Sequence, residues 1–339
     1  MIALADPIAP PTGAARNVVL RVRNLRVSFR IPGGVLPAVD GISFDLRHGE
    51  TLGLVGESGS GKTMTALALL RLLDSPPAQI SADAVTFEGR DLLRISERDM
   101  ADLRGARLSM VFQEPMTSLN PLMTIGRQID EPLIRHLALS RAEARARSVA
   151  LLARVGIPRP AEAAKFYPHQ LSGGMRQRAM LAIALACRPV VLIADEPTTA
   201  LDVTIQAQIL ELLRELQEEM GTAILLITHD LAVIAQTADR VAVMYAGRIV
   251  ETGPVAALFS KPLHPYTEGL LRSIPRIVRK PEPTLPEIPG IVPAPGALPV
   301  GCAFAPRCAF ADATCHATRP ALQEAGQDRE VACWNPRHD

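Results

Sequence analysis

Eight consecutive residues, GESGSGKT from Gly56 to Thr63, constrain the fold of this chain more than any other segment. They match the phosphate-loop pattern G-x-x-x-x-G-K-[ST]. The apolar run TLGLV at 51–55 has the length of a buried strand, and TALALLRLL at 65–73 predicts a helix. A strand, a glycine-rich loop and a helix in this order are the context that the pattern requires. We therefore expect a nucleoside triphosphate site in an α/β domain.

The residue types in this loop suit the binding of phosphate. Three glycines let the backbone curl with its N–H groups turned towards an anion, and the start of the helix adds a partial positive charge. The lysine can neutralise the outer phosphates, and the threonine hydroxyl can ligate Mg²⁺. The predicted nucleotide-binding residues of the loop are Gly56, Glu57, Ser58, Gly59, Ser60, Gly61, Lys62 and Thr63.

A second segment, LSGGMRQRAMLAIALACRPVVLIADEPTTALD at 171–202, carries further chemistry. Ser172 is predicted to cap a helix that continues through Cys187. Gly173 and Gly174 keep the start of that helix bare, so its N–H groups can meet an anion. This helix start is therefore a second candidate anion site.

The apolar run VVLIA at 190–194 predicts a strand that is buried on both faces. It ends in Asp195 and Glu196, so two carboxylates emerge at the carboxyl edge of the sheet, where ligands of open α/β folds bind. Asp195 is suited to holding Mg²⁺, and Glu196 is suited to deprotonating the attacking water. The pair points to hydrolysis of the bound triphosphate.

The sequence LSGGMRQR after a phosphate loop, followed by VVLIADEP, TALD and LLITHD at 225–230, resembles the ATP-binding subunits of ABC transporters. The resemblance covers about residues 20–270. It implies an α/β fold, with a mixed sheet core, an antiparallel β subdomain and a helical subdomain. It also implies that the chain binds ATP and Mg²⁺ and hydrolyses ATP.

This resemblance assigns roles to four further residues. Gln113, in MVFQEP, matches the glutamine that senses magnesium and the attacking water. Asp202 matches the aspartate loop that reaches the partner subunit, and His229 matches the switch histidine that contacts the γ-phosphate. Phe29, in RVSFR, matches the aromatic residue that stacks on adenine, but VSF also reads as a short strand with a core phenylalanine. The magnesium ligands that follow are Thr63, Gln113 and Asp195.

The resemblance also implies a pair of ATPase chains. In ABC subunits the helix that begins at Ser172, with Gly173 and Gly174, completes the nucleotide site of the neighbouring chain. ATP then lies between the Lys62 loop of one chain and the Ser172 helix of the other. The partner is either a related chain or a second copy, and we expect a monomer to hydrolyse ATP poorly.

Four segments resemble the oligopeptide and dipeptide importers, a group that includes nickel importers. This resemblance implies two permease subunits, an extracytoplasmic solute-binding protein that acts indirectly, and a position at the cytoplasmic face of a bacterial membrane. The cargo stays open between a dipeptide, an oligopeptide, a glutathione-like compound and a nickel chelate. The segments are QEPMTSLNPLMTIGRQI at 113–129, YPHQLSGGMRQRAMLAIAL at 167–185, DVTIQAQIL at 202–210 and HPYT at 264–267.

The chain is expected to divide into three parts. Residues 1–18 contain three prolines and lack a basic start, so we expect a disordered tail and no signal peptide. Residues 19–270 are the predicted nucleotide-binding domain, with the helical subdomain at about 97–180. Residues 271–339 resemble the C-terminal extension of the peptide importers, and they begin with a proline-rich arm.

Four of the five cysteines fall in this extension with the spacing C-x5-C-x6-C-x17-C. Thiols stay reduced in the cytosol, so a shared metal centre is favoured over two disulfides. The spacing lacks the paired C-x2-C of zinc ribbons, and we favour a [4Fe–4S] cluster, with zinc or unligated thiols as alternatives. Cys187 is expected to pack in a helix. His316 and His338 are alternative ligands, but we expect both to lie at the surface. The predicted ligands are Cys302, Cys308, Cys315 and Cys333.

Charge and length argue against other classes. The chain carries 36 Lys and Arg against 35 Asp and Glu, so it offers no electrostatic footprint for nucleic acid. Its longest apolar runs, such as MLAIALAC at 180–187, are too short to span a bilayer. A soluble ABC ATPase of DNA repair or translation is the main alternative, but the chain lacks a second phosphate loop. A P-loop kinase would not explain LSGGM.

Overall fold

The computed structural model describes residues 17–199, 202–274, 287–326 and 328–337. These residues form two compact units. The first unit contains the described residues up to Leu20, Leu46–Glu50 and Arg94–Leu225, and the second contains Arg21–Asp45, Thr51–Leu93 and the described residues from Leu226 onward. Residues 1–16 and 275–286, which hold most of the predicted tail and the start of the proline-rich arm, lie outside the described residues.

The strands are numbered in chain order. Two of them are 14 residues long, and those near the C-terminus have only two residues. They are β1 (Val18–Ile31), β2 (Gly34–Arg47), β3 (Thr51–Val55), β4 (Ala78–Ser81), β5 (Ala84–Phe87), β6 (Arg90–Asp91), β7 (Leu108–Val111), β8 (Val191–Asp195), β9 (Ala223–Thr228), β10 (Arg240–Tyr245), β11 (Arg248–Pro254), β12 (Gln323–Glu324) and β13 (Glu330–Val331).

Most of the described helices lie between β6 and β9. The sequence from about 97 to 170 is largely helical in its pattern and predicts the first five of them. Short 3-10 turns add Pro168–Gln170, Pro295–Ala297 and Ala305–Arg307. The α-helices are α1 (Lys62–Leu69), α2 (Glu97–Leu103), α3 (Pro115–Ser118), α4 (Ile125–Leu137), α5 (Arg141–Arg154), α6 (Pro160–Ala163), α7 (Gly173–Leu185), α8 (Val203–Met220), α9 (Leu231–Thr237), α10 (Val255–Ser260), α11 (Pro265–Arg272) and α12 (Ala313–Ala317).

The second unit combines an antiparallel sheet with a mixed one. In the antiparallel sheet the order is β2-β1-β5-β6, and β4 also pairs with β1. In the mixed sheet β3 pairs parallel to β10, which is antiparallel to β11 through the turn at Ala246 and Gly247. The run VAVMYAGRIVETG at 241–253, with an Ala-Gly turn between two strand-like segments, predicts this hairpin, which is therefore confirmed. The alternation at 19–55, with turns such as IPGG at 31–34, predicts several short strands. This prediction is wrong for most of the segment, because β1 and β2 are 14-residue strands that form one long hairpin.

The first unit brings β7 and β8 side by side as parallel strands whose residues are all buried. Helices α4, α5 and α7 pack against one another beside them. Ser140 begins α5 with a capping box to Glu143, which fixes that helix start. Helix α7 is capped by Ser172 as predicted, but it ends at Leu185 and not at Cys187, since the chain must turn before Pro189.

Two other helix boundaries differ from the sequence expectations. Helix α1 begins at Lys62 and ends at Leu69, so the last residues of the run at 65–73 leave the helix, and Arg71 adopts a left-handed backbone conformation. The run ILELLRELQEEM predicts an amphipathic helix at 209–220. Helix α8 instead begins at Val203, directly after its cap Asp202 and six residues earlier. Among the described residues, every helix is too short or too polar to cross a membrane.

Candidate functional site

Two glycines of the phosphate loop are required by close backbone contacts in the second unit. A Cβ built on Gly56 would overlap the carbonyl oxygen of Met244, which belongs to β10 beside β3. A Cβ on Gly61 would lie 2.6 Å from the carbonyl oxygen of Ala38, and the φ of Gly61 is +103°. Glycine is thus the residue that lets the loop pass between β2 and β10.

Lys62 lies inside the loop at the first residue of α1, and its side chain is buried. Its ammonium donates hydrogen bonds to the carbonyl oxygens of Gly56 (2.8 Å) and Glu57 (3.0 Å) and lies 3.4 Å from the Ser60 hydroxyl. Thr63, the next residue, is half-buried. The loop therefore wraps around a cation at the start of a helix, where a phosphate would also meet the N–H groups of that helix.

Glu57 holds the loop to two other segments of the second unit. Its backbone N–H donates to the Tyr266 hydroxyl at 2.9 Å. Its carboxylate accepts two hydrogen bonds from the Arg307 guanidinium, at 2.7 and 3.0 Å. The Arg307 side chain is only 4% exposed, whereas that of Glu57 is 30% exposed. A bidentate pair of this kind fixes both position and orientation.

In the first unit, the ends of β7 and β8 bring two predicted residues together. Gln113 follows β7 and Glu196 follows β8, and the Gln113 amide donates to the Glu196 carboxylate at 3.2 Å. The Thr199 hydroxyl donates to the same carboxylate oxygen at 2.7 Å. Asp195, the last residue of β8, is buried. The structure thus gathers an amide, a hydroxyl and two carboxylates at one edge of the strand pair.

The backbone at Glu196 has the conformation of a constrained site. Its φ is +47°, in the left-handed region that residues other than glycine seldom adopt. The next residue, Pro197, accepts a 2.6 Å hydrogen bond from the buried Gln177 side chain of α7. Helix α7 and the Glu196 turn are therefore fastened to each other, and strain of this kind occurs most often where it serves a site.

Two helix starts of the first unit carry predicted site residues, and the cap at Ser172 is the one that the sequence predicts. The Ser172 hydroxyl accepts from the Met175 N–H at 3.4 Å, and Ser172 and Gly173 are exposed, while Gly174 is half-buried against Ile205. Asp202 caps α8 by accepting from the Ile205 N–H at 2.9 Å, and it is exposed as well. Both helix starts therefore face outward, as contact with another chain would need.

The predicted site residues are divided between the two units. The second unit contains the phosphate loop, Phe29 in β1 and His229 after β9. Phe29 is half-buried, which suits either of its two interpretations, and His229 is exposed. The first unit contains Gln113, Ser172, Gly173, Gly174, Asp195, Glu196 and Asp202.

The four cysteines of the extension line a single pocket in the second unit, together with Phe304, Phe310 and Trp334. The described residues nevertheless contain no group of three or more His, Cys, Asp or Glu placed to hold a metal ion. The described residues therefore do not support the predicted metal centre. What the structure does bring together is the ligand set that the spacing predicts: Cys302, Cys308, Cys315 and Cys333.

Burial, with repulsion from neighbouring thiolates, favours the neutral form of three of these thiols, those of Cys308, Cys315 and Cys333. Burial raises the pKa of the Cys333 thiol to about 11, and the nearby Cys302, Cys308 and Cys315 add to the rise. The pKa values of Cys308 and Cys315 are raised too, first by burial. Four adjacent thiolates would need a positive charge among them, which is the chemistry of a metal-binding set.

Cys187, His316 and His338 are the remaining residues that the sequence analysis considered. Cys187 is half-buried, donates to the Pro132 carbonyl and has a pKa raised by burial to about 11, as expected for a packed thiol. His316 is exposed, and His338 lies outside the described residues.

Four contacting residues were missed by the sequence reasoning: Thr199, Gln177, Tyr266 and Arg307. Gln177 and Thr199 lie within the segment 171–202, but its pattern does not show where their side chains point. Only the structure shows that both contact the turn at Glu196. Tyr266 and Arg307 are 209 and 250 positions from Glu57, so no local pattern points to the loop.

Comparison with known proteins supports both parts of the chain. A family model described as "ABC transporter" matches residues 39–199, and one described as "Oligopeptide/dipeptide transporter, C-terminal region" matches residues 250–315. The probable peptide ABC transporter ATP-binding protein y4tR of Sinorhizobium fredii is 52% identical over 94% of this chain and 95% of its own length. The dipeptide transport ATP-binding protein DppD of Escherichia coli is 49% identical over 95% and 98%.

A solved structure gives the same picture of the fold. The dimeric ATP-binding cassette MJ0796, in a post-hydrolysis state bound to ADP and phosphate, has a TM-score of 0.61 and 26% identity to this chain. The match covers 70% of this chain and 98% of the cassette.

Proposed function

The chain belongs to the family of ABC transporter ATP-binding proteins, and from that premise we propose that it hydrolyses ATP to power the import of short peptides. The proposal includes two permease subunits, a solute-binding protein that acts through them, and a peripheral position at the cytoplasmic face of a bacterial membrane. The named relatives include peptide and dipeptide transport proteins, and the extension shares their C-terminal region. Nickel or another small solute is the alternative cargo.

One observation carries the catalytic part of the proposal. The Glu196 carboxylate follows a buried strand, in a left-handed backbone conformation, and accepts hydrogen bonds from Gln113 and Thr199. A carboxylate held by an amide and a hydroxyl is oriented to accept a proton from water. Attack by that water on the γ-phosphate is then helped by position and by charge, which are the main terms in phosphoryl transfer.

The other residues supply binding and charge. In this proposal Lys62 and the N–H groups of the loop hold the phosphates, and His229 contacts the γ-phosphate. Phe29 stacks on adenine. Thr63, Gln113 and Asp195 offer the oxygen ligands that Mg²⁺ takes, and the ion would neutralise charge on the phosphates.

We extend the proposal to a pair of ATPase chains. The exposed helix starts at Ser172 and Asp202 would contact the ATP that is held by the partner's phosphate loop. ATP would then join the two chains, and its hydrolysis would release them, because the contacts to the γ-phosphate exist only in the joined form. The partner is a related chain or a second copy.

The extension is the third element of the proposal. We assign residues 19–270 to the nucleotide-binding domain and 271–339 to the extension, with Cys302, Cys308, Cys315 and Cys333 as ligands of a [4Fe–4S] cluster. Four thiols around one pocket support this assignment. A single zinc ion needs four sulfurs about 2.3 Å from one point, whereas a four-iron cluster offers each thiolate an iron of its own. The cluster would supply the positive charge that four adjacent thiolates require.

The substitution Glu196→Gln tests the catalytic proposal in the assembled transporter. It keeps the size and the hydrogen-bonding capacity of the side chain but removes the proton acceptor. We expect ATP to bind with near-normal affinity, while ATP hydrolysis and peptide uptake both fall about 100-fold or more. Steady-state phosphate release and uptake of a labelled peptide into vesicles are the two measurements.

Matched variants separate the possible failures. Lys62→Ala should already fail at nucleotide binding, and Ser172→Arg should keep binding by the isolated chain but lose ATP-dependent dimers in size-exclusion chromatography. Normal turnover in Glu196→Gln would refute its role as the base. Hydrolysis that is lost without any effect on peptide uptake would refute the peptide cargo.

A further inference from the structure

The phosphate loop carries a negative charge of its own at Glu57, beside the place where a triphosphate must bind. A carboxylate on that loop would repel the phosphates if it were left unneutralised. The Arg307 guanidinium faces the Glu57 carboxylate with two hydrogen bonds, at 2.7 and 3.0 Å. Because Arg307 is almost fully buried, water screens this pair less than it screens a surface ion pair.

Arg307 is itself held on several sides. Its Nε donates to the Pro289 carbonyl at 2.9 Å, and a terminal nitrogen lies 3.4 Å from the Tyr245 hydroxyl. Its guanidinium also lies 5.8 Å from the ring centre of Tyr245 and 5.9 Å from that of Phe304. The guanidinium therefore has one defined place, set by Pro289 and Phe304 of the extension and by Tyr245 of β10 as well as by Glu57.

The geometry points to Arg307 as a positioning residue for the ATP site, which neutralises Glu57 and fixes the shape of the phosphate loop. Glu57 is then held at three points: its N–H by Tyr266, its carboxylate by Arg307 and its carbonyl by Lys62. Two of these three partners lie outside the loop, and one of them belongs to the C-terminal extension. Residues 301–308, which contain Cys302 and Cys308, are thus connected to the loop by the hydrogen bonds of Arg307.

This inference rests on the proposed ATP site and adds to it a residue from beyond residue 270. It gives the extension a direct part in nucleotide binding. It also predicts that the contribution of Arg307 is mainly electrostatic, because the bound ligand is a polyanion and the partner of Arg307 is an anion.

The test is the affinity of the isolated full-length chain for a fluorescent ATP analogue. We expect Arg307→Ala to weaken binding about tenfold, since the loss of a charge-assisted pair leaves Glu57 unneutralised. Arg307→Lys keeps the positive charge but loses the bidentate hydrogen bonding, so its affinity should lie between those of the parent chain and Arg307→Ala. Adding Glu57→Gln to Arg307→Ala should restore affinity to within about threefold of the parent, because the repelling charge is gone. The deficit of Arg307→Ala should also shrink at about 0.5 M salt.

Arg329→Ala is the matched control. Arg329 is a buried arginine of the same extension, 6% exposed, and it pairs with Glu251. Its loss should destabilise the extension about as much as Arg307→Ala does in thermal unfolding, yet change nucleotide affinity less than twofold. Equal loss of affinity in both variants, or no recovery in the double variant, would overturn the inference and leave Arg307 as a packing residue. Normal binding by Lys62→Ala would instead refute the assignment of the loop itself.

Discussion

The phosphate loop and the cysteine pocket belong to the same unit of the chain, but different structural elements hold them in place. The loop lies between a five-residue buried strand and an eight-residue helix, and glycines fit it against β2 and β10. The pocket is built from a 3-10 turn at Ala305–Arg307, the five-residue helix α12 and irregular chain. Regular elements support the first region, and mainly side chains support the second.

The difference shows in what each region requires of its residues. The loop is specified by backbone geometry, so a single added methyl group at the wrong glycine meets a carbonyl oxygen. The pocket is specified by four thiols and three aromatic side chains that come from a segment with little regular structure. A segment of that kind usually gains its stability from a metal centre or a disulfide. Three predictions follow from this contrast.

The largest effect is expected at Gly56. The substitution Gly56→Ala places a Cβ on the Met244 carbonyl oxygen, and neither of the two backbones can move without disturbing the pairing of β3 with β10. We expect loss of measurable nucleotide binding and a fall of about 3 kcal/mol in the free energy of unfolding. Urea titration and binding of a fluorescent ATP analogue are the measurements.

Gly59→Ala is the matched control for this prediction. A Cβ at Gly59 would have no heavy atom within 4 Å, and the cost comes only from its φ of +77°. That conformation costs an alanine about 1–2 kcal/mol. If Gly59→Ala were as harmful as Gly56→Ala, backbone flexibility and not the contact with β10 would explain the glycines.

An intermediate effect is expected in the cysteine pocket. Protein purified without oxygen should be brown and contain about four irons per chain if the proposed cluster is correct. Cys315→Ser should remove the colour and lower the unfolding temperature of the extension, while Cys187→Ser should do neither. Nucleotide affinity should fall in Cys315→Ser by no more than in Arg307→Ala, because Arg307 is the contact through which the extension reaches the loop.

Two results would contradict that assignment. Colourless protein with one zinc per chain would replace the cluster with zinc, and metal-free protein with four titratable thiols would remove the metal altogether. In either case, the unfolding data would still decide whether the loop and the pocket are stabilised separately. A pocket that unfolds together with the loop in every variant would show that the two regions are held as one.

The parts of this molecule that sequence reasoning predicted are those with a local cause. The run 51–55, the loop and the strand before Asp195 each carry their pattern within a few residues, and all appear as expected. Gathering four cysteines in one pocket was also within reach, because their number and closeness in the extension favour it.

The parts that failed depend on contacts across the chain. Strands β1 and β2 are longer than their local alternation suggests, since each is completed by a partner strand. The contact of Arg307 with Glu57 joins residues 250 positions apart, and nothing near either one marks the pairing. The arrangement of thiols for a metal ion was not borne out among the described residues. Side-chain directions decide such details, and periodicity does not contain them.

The smallest of the three effects is a pH dependence at His264, a residue that lines the cysteine pocket and contacts Tyr266. This side chain is buried; its Nδ1 accepts the Tyr266 N–H at 3.0 Å, and its ring lies 5.8 Å from that of Phe304. Burial lowers the pKa of His264 to about 3. The unfolded chain has a histidine pKa of about 6.5. Below that pH the unfolded state therefore binds a proton that the folded state does not.

Stability should then be unaffected by His264 above about pH 6.5 and should fall as the pH is lowered from there towards 3, at up to about 1.4 kcal/mol per pH unit. Between pH 7 and pH 5 this amounts to about 2 kcal/mol. His264→Asn removes the titration, while its Oδ1 can still accept the Tyr266 N–H. Urea unfolding at the two pH values should show the wild type losing about 2 kcal/mol more than the variant. An equal loss in both proteins would mean that His264 is protonated in the folded state. A protonated Nδ1 could not accept the Tyr266 N–H. Tyr266 would then lose the contact that positions it to accept the Glu57 N–H of the phosphate loop.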